Sequence, residues 1–364
     1  MKAARHYDID ALRVLTIALL LIYHIAIVFQ PWALFVGFIK SDVSWESLWV
    51  PMSLLNVWRI PILFFVSGMG VYFAMRKRSW KTLIGERVQR ILIPFLFGIF
   101  AIAPLHIFVF QKFYEQSLTY YAHMGHLWFL GNIFVYVACF LPIFYVLKRR
   151  EGGTFKRRVV QLMSQPVGPL VIALLFMLEA LLVKPQIYSL YAQTWHGFFL
   201  GALAFFFGYL LMYCGPTFWK TVGKWKWMYL LLGLVLFTLR YVYYQLEAPG
   251  YLMALESINW IFGVFGLCHQ FLNKPSKLLS YASEAAYPVY IIHMVVLYLG
   301  CLWILPLPVP VYLQFVLLVV ITFGGCYAIY EFLIKRIWFL RPLFGLKLDR
   351  KQGLKSTKII SQNS

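Results

Sequence analysis

The sequence predicts an all-α fold: a polytopic integral membrane helix bundle of about ten transmembrane helices with both termini cytoplasmic. Three observations support this prediction: an apolar composition, long runs without charged residues, and basic residues confined to alternate connections. Hydrophobic residues make up 62% of the 364 residues and charged residues only 13%, with a mean hydropathy of +0.74. An average soluble domain carries about twice that share of charge. Soluble, disordered and disulfide-rich secreted proteins are therefore excluded.

Ten spans follow when the apolar runs are matched to the thickness of a membrane, because a transmembrane helix needs about 20 mainly apolar residues. The first run follows a basic start and shows no small-residue cleavage site, which predicts an uncleaved span rather than a signal peptide. The last run, 285–330, is too long for one span and contains Pro306, Pro308 and Pro310, so it is divided into two helices. The predicted spans are 12–33, 52–75, 89–110, 126–147, 167–184, 195–213, 227–245, 252–271, 284–304 and 311–334.

The basic residues test this topology independently. With the N-terminus in the cytoplasm, 27 of the 33 Lys and Arg residues fall in the termini and alternate connections on that side. This asymmetry is the positive-inside pattern, and it accounts for the net charge of +20 without a nucleic-acid partner. The sequence therefore predicts one membrane domain over residues 1–340 and a short basic cytoplasmic tail over 341–364, with membrane lipid as a partner.

The first span carries the clearest functional candidates, because ionisable residues within a membrane usually line a cavity or a substrate path. Arg13 and His24 are separated by about 16.5 Å of helical rise and by close to three full turns, so they share one helix face. Asp10 lies one turn before Arg13 and could orient it. The alternatives are a snorkelling anchor for Arg13 and a hydrogen-bonded packing role for His24.

A second candidate group begins the third span, where Arg87 and Arg90 are three residues apart and share a helix face. Two guanidinium groups on one face can hold a phosphate in bidentate fashion. Together with Arg13, they are candidates to bind a polyphosphate cofactor from the cytosol. Ordinary positive-inside anchoring is the alternative for this pair.

Further polar residues lie deeper or towards the outer side. His293 lies in the middle of the ninth span and Glu179 near the outer end of the fifth, and such ionisable residues usually line a cavity or a substrate path. Trp128 fits an interfacial aromatic belt, with carbohydrate stacking as the alternative. The histidines and cysteines show no metal-ligand spacing, so no metal site is predicted. Other polar residues on the outer side are Arg59, His106, His123, His126, His196, Arg240 and Glu256.

Five segments, in chain order, resemble the signatures of the acyltransferase family 3 membrane proteins. Each is loose alone, but together they cover nearly the whole chain and agree with ten spans. They are 7–13 followed by Tyr23-His24, 59–68, 87–90, 126–130 and 283–293.

The resemblance implies transfer of an acyl group from cytosolic acyl-CoA to a hydroxyl of an extracytoplasmic glycan or lipid-linked sugar. Segments of the second and third helices are most similar to the branch that includes glucan succinyltransferases, so acetyl and succinyl are the expected groups. On this basis Arg13, Arg87 and Arg90 would hold the CoA phosphates. His24 would act as general base or as a covalent acyl carrier. His293 and Glu179 would be weaker candidates, to orient the acceptor or the base.

The same resemblance implies that no cofactor is tightly bound, since acyl-CoA is a donor substrate, and that the protein is located in a bacterial inner membrane. Many relatives carry an appended extracytoplasmic hydrolase-like domain, which we do not find here. Transfer would therefore be completed in the membrane domain or by an extracytoplasmic partner protein.

Two other classes remain open from the residues alone. A transporter or flippase for a glycan, lipid-linked sugar or small anion would also need many helices with charge inside the membrane. It would release no CoA thiol in the presence of its substrate. A non-catalytic membrane subunit would tolerate replacement of both Arg13 and His24.

Overall fold

The computed structural model of the chain describes residues 6–347, and this part is helical without β-strands. Short 3₁₀ turns occur at Ala33–Val36, Glu46–Leu48 and Gly125–Leu127. The helices are α1 (Tyr7–Ile27), α2 (Trp49–Lys77), α3 (Trp80–Phe113), α4 (Trp128–Arg149), α5 (Thr154–Met163), α6 (Leu170–Val183), α7 (Trp195–Tyr213), α8 (Pro216–Tyr244), α9 (Gly250–Phe271), α10 (Lys277–Ile304), α11 (Val311–Ile334) and α12 (Leu340–Leu343).

Nine helices of the described part are long and apolar enough to cross a membrane, which confirms a polytopic helical membrane protein. The fifth predicted span differs, because α6 has only 14 residues. Its rise of about 21 Å is shorter than the hydrocarbon core of about 30 Å. The reason is local: Pro166 and Pro169 lie in a turn that takes up the first residues of the predicted run, and α6 ends at Lys184 in a left-handed conformation. The predicted tail, 341–364, lies for the most part outside the described residues.

Helix α3 contains two π-helical segments, Val88–Leu92 and Gly98–Ile102. The residue after each segment precedes a proline, and the N–H of that residue, Ile93 or Ala103, donates to the carbonyl five positions earlier. Since proline has no N–H, Pro104 leaves the carbonyl of Phe100 without its helical donor. The hydroxyl of Tyr120 donates to that carbonyl at 2.9 Å. The sequence therefore explains both widened turns through its prolines.

The chain divides into two compact units. The first unit comprises the residues up to Tyr23, Ser47–Ile84 and Asn132–Ser283. Within it α2 and α7 approach backbone to backbone, since a Cβ added at Gly68 would lie 1.9 Å from the carbonyl oxygen of Phe205. Small residues permit such close helix contacts in membranes.

The second unit comprises His24–Glu46, Gly85–Gly131 and the residues from Glu284 onward. Its buried centre is formed by apolar side chains of α10 and α11 and of the segment that begins at the end of α1. The Tyr298 hydroxyl donates to the Gly37 carbonyl at 2.6 Å and ties α10 to that segment. Most of the candidate residues described below belong to this unit.

Candidate active site

The second unit brings two predicted residues together, His24 near the end of α1 and His293 in α10. Nδ1 of His24 lies 2.8 Å from Nε2 of His293. The two rings are nearly parallel, at 10°, with centroids 5.1 Å apart. His293 is fully buried, whereas His24 keeps part of its surface exposed. The pair is therefore fixed on the His293 side and accessible on the His24 side.

The hydrogen-bond partners assign the tautomer of each ring. Nδ1 of His293 lies 2.7 Å from the carbonyl oxygen of Tyr290, which can only accept, so this nitrogen carries the proton. Nε2 of the neutral His293 then accepts the hydrogen bond from Nδ1–H of His24. It follows that Nε2 of His24 carries a lone pair, which is the form that a general base or a nucleophile requires.

His126, at the entrance to α4, is held against the same part of α10. Its Nε2 donates to the Ile291 carbonyl at 3.2 Å, and the Tyr290 hydroxyl donates to the His126 carbonyl. The rings of His126 and His293 meet edge to face, with centroids 4.8 Å apart. Two hydrogen bonds thus place a third imidazole beside the pair.

Two more histidines continue this arrangement. The centroid of His106 is 6.0 Å from that of His126 and 5.1 Å from that of His123. Five of the eight histidines of the chain therefore form one group, which we call the histidine cluster: His24, His293, His126, His106 and His123. Within residues 6–347, no group of three His, Cys, Asp or Glu side chains is arranged to hold a metal ion.

The basic candidates are divided between the units. In the first unit, Arg13 makes an ion pair with Asp10 at 3.3 Å, and the Ser283 hydroxyl donates to the same carboxylate oxygen at 3.1 Å. In the second unit, Arg87 and Arg90 are half-buried in α3. Arg90 lies in the first π-helical segment, so the α-helical spacing assumed from the sequence does not apply there.

Glu179 and Trp128 occupy structural positions. Glu179 accepts from Nδ1 of His196 at 2.9 Å in the first unit, where both side chains are buried. Trp128 is only 7% exposed and packs near Phe129, so it is not the lipid-facing belt residue that the sequence predicted.

Two other buried arginines of the first unit have partners within it. Arg240 donates to both carboxylate oxygens of Glu256, at 2.7 and 2.9 Å, and both side chains are buried. Arg59 donates to Asn56 at 3.2 Å and lies 3.7 Å above the centre of the Tyr23 ring, but its Nε and Nη1 make no hydrogen bond within the described residues. The Arg240–Glu256 ion pair thus ties α8 to α9.

The first unit also contains an open cavity of about 830 Å³. No carboxylate is among its described lining residues, whereas three cations are. The Nδ1 of His269, at one wall, donates to the buried Asp8 at 2.6 Å. Among the residues that line the cavity are His6, Arg76, Trp219, Lys220, Lys226 and His269.

The helices and the histidine pair describe a multi-pass membrane protein with two hydrogen-bonded imidazoles inside its second unit. Over residues 6–331, the chain matches the model of a family described as an acyltransferase domain. The match covers most of the chain, so the protein belongs to acyltransferase family 3, as its motifs predicted. It is a membrane O-acyltransferase. No curated protein and no solved structure matches the chain.

Proposed function

We propose that the protein transfers an acetyl or succinyl group from cytosolic acyl-CoA to a hydroxyl of an extracytoplasmic glycan or lipid-linked sugar, with His24 as the reactive group. The observation that carries this proposal is the chain of hydrogen bonds from His24 through His293 to the Tyr290 carbonyl. It places the lone pair of His24 on Nε2, and His24 is the member of the pair that keeps part of its surface exposed.

In the direct mechanism, Nε2 of His24 removes the proton of the acceptor hydroxyl as its oxygen attacks the thioester carbonyl. The C–O bond of the ester forms, the C–S bond breaks, and the CoA thiolate takes up a proton. His293 stabilises the imidazolium of His24 in between, because its Nε2 accepts from Nδ1–H. General base catalysis of this kind contributes about 10²- to 10⁴-fold to a rate.

In the covalent alternative, Nε2 of His24 attacks the thioester and carries the acyl group as an acyl-imidazole before the hydroxyl takes it. The same tautomer serves both routes. A burst of one CoA per enzyme molecule before steady turnover would distinguish the covalent route from the direct one.

The donor would be held by its phosphates at Arg87 and Arg90 of the second unit. Arginine binds phosphate with two parallel N–H donors, so partial burial of this pair favours a specific contact over a lipid-facing anchor. The role of Arg13 in donor binding stays a prediction from the sequence, and so does the absence of a tightly bound cofactor.

The proposed location is a bacterial inner membrane, with both termini in the cytoplasm. The positive-inside pattern supports this orientation. The donor would then enter from the cytoplasm and the acceptor from the other side. An extracytoplasmic partner protein would be needed only if the acceptor must be delivered to the enzyme.

The test is thiol release by the purified protein, with acetyl-CoA or succinyl-CoA as donor and glycans offered in turn. His24→Ala should abolish release, whereas the matched variant His6→Ala, at a half-buried histidine of the first unit, should retain it. Release at a near wild-type rate by a folded His24→Ala protein would refute the proposed role. The better donor identifies the acyl group.

A further inference from the structure

Three imidazoles beside the His24–His293 pair carry a nitrogen atom that is shielded from solvent and makes no hydrogen bond within the described residues. These atoms are Nδ1 of His106, Nδ1 of His126 and Nε2 of His123. Buried polar atoms without partners are rare, because each one has lost its bond to water. Three of them next to one another are not explained by packing.

The rings of His106 and His126 are nevertheless held in place. His106 is 4% exposed, and its ring meets Tyr298 edge to face, with centroids 5.4 Å apart. His126 is fixed by its bond to the Ile291 carbonyl. Their unpartnered nitrogens are therefore fixed as well, which is what a binding site requires of its polar groups.

The third imidazole is positioned by the segment between α3 and α4. The Gln111 side chain bonds to both the N–H and the carbonyl of Thr119, at 3.0 and 3.2 Å, and so anchors this segment. Gly125 has φ of +45°, and a Cβ there would lie 2.9 Å from the His123 ring. The absence of a side chain at Gly125 thus lets His123 lie against His106.

An aromatic face lies at the outer edge of these histidines. The ring of Tyr121 stacks on His123 at 22°, with centroids 5.6 Å apart, and Tyr121 is 63% exposed. An exposed, stacked aromatic ring offers a flat apolar surface beside the polar nitrogens. On the predicted topology, this segment faces the extracytoplasmic side.

The three histidines lie in an electrically neutral environment. Among the described residues, the ionisable groups that act on His106 are His126 and His123 alone. Burial lowers the pKa of His123, which lies outside the spans, below its usual value, so its ring is neutral at pH 7. A phosphate or carboxylate would find no opposing charge here, whereas a hydroxyl can donate to or accept from a neutral imidazole.

A proton relay through the histidine cluster is the alternative explanation of the unpartnered nitrogens, and the geometry disfavours it. Within residues 6–347, the nitrogen-to-nitrogen hydrogen bond of the cluster is that between His24 and His293, and the other nitrogen of His293 donates to a carbonyl oxygen, which cannot pass a proton on. The remaining rings meet through edges and faces. Binding therefore accounts for the unpartnered nitrogens better than conduction does.

We propose that His106, His123 and His126 form the acceptor subsite of the enzyme, and that this subsite takes a neutral, hydroxyl-rich acceptor such as an uncharged sugar. The inference rests on the proposed function, since it assumes that His24 acts on an acceptor hydroxyl. The three imidazole nitrogens bind hydroxyls of the acceptor, and Tyr121 covers the apolar face of a sugar ring.

The test replaces each histidine by Phe, which keeps an aromatic ring and removes the nitrogens. Glucose, maltotriose and laminaritriose are offered as neutral acceptors, and glucuronic acid and glucose 6-phosphate as charged ones. Each variant should raise the KM for a neutral acceptor about 5- to 100-fold, whereas the KM for acyl-CoA should stay unchanged. Leu118→Ala, at an exposed residue of the same segment, is the matched control.

The outcomes separate the two proposals. If thiol release does not need His24, the proposed function fails. If release needs His24 but the Phe variants leave the acceptor KM unchanged, or raise the KM for acyl-CoA by the same factor, the subsite is refuted. Stimulation by none of the neutral acceptors, or by the charged ones alone, overturns the proposed acceptor class.

Discussion

The positioning role of His293 gives the most direct test of the mechanism. In His293→Phe the ring keeps its volume in the buried site, but Nδ1–H of His24 loses its acceptor at 2.8 Å. Removing one partner of a buried hydrogen bond costs about 1–3 kcal/mol. At about 1.4 kcal/mol per factor of ten, kcat should fall roughly 5- to 150-fold, which is less than the loss expected for His24→Ala.

A conservative variant distinguishes positioning from packing. His293→Gln places an amide in the same region, with an oxygen that can accept from His24 and an NH₂ group that can donate to the Tyr290 carbonyl. It should therefore recover part of the lost kcat, although its fit to the buried space is poorer than that of Phe. If packing were the only role of His293, Phe would be the better tolerated substitution.

The assay is steady-state thiol release in detergent micelles, with donor and acceptor concentrations varied separately. The expected result is a lower kcat at unchanged KM for acyl-CoA, because His293 does not touch the donor phosphates. A His293→Phe enzyme with kcat within about twofold of wild type, below the smallest loss calculated from the hydrogen bond, would refute the reasoning. So would a Gln variant that is no more active than the Phe variant.

Three further results are expected. Arg87→Ala with Arg90→Ala should raise the KM for acyl-CoA about tenfold or more, and the difference from wild type should shrink at high salt; unchanged donor affinity would reduce the pair to topology anchors. Gly68→Ala should destabilise the protein by about 3 kcal/mol or more in thermal unfolding, because its Cβ would meet a backbone carbonyl, whereas Gly70→Ala, with no atom within 4 Å, should not. If α6 crosses the membrane, a cysteine introduced at position 184 should react with an impermeant thiol reagent added outside intact cells. If that cysteine does not react, α6 does not cross the membrane, and the number of spans is odd.

Nine of the ten spans were predictable because the membrane imposes one strong constraint: every backbone polar group must be satisfied internally, so apolar runs become helices. The family was predictable from the order of five short motifs. The argument from the membrane was less accurate where proline acts. Pro166 and Pro169 shorten α6, the fifth predicted span, and Pro94 and Pro104 widen two turns of α3. A hydropathy pattern registers neither change, although the prolines are visible in the sequence.

The candidate site was predictable in part, and the division has a physical cause. His24 could be singled out because an ionisable residue in an apolar run is costly wherever the chain goes. His106, His123 and His126 lie at the ends of spans or between them, where polar residues are ordinary, so their polarity does not distinguish them from interfacial histidines, although His126 begins one of the segments that resemble the family. What distinguishes them is that α3, the segment after it and the start of α4 converge on α10, and that convergence is set by packing and by Tyr290, which bonds to His126. The local sequence therefore identifies the proposed reactive residue, His24. The three histidines proposed to select its acceptor come together only in the folded unit.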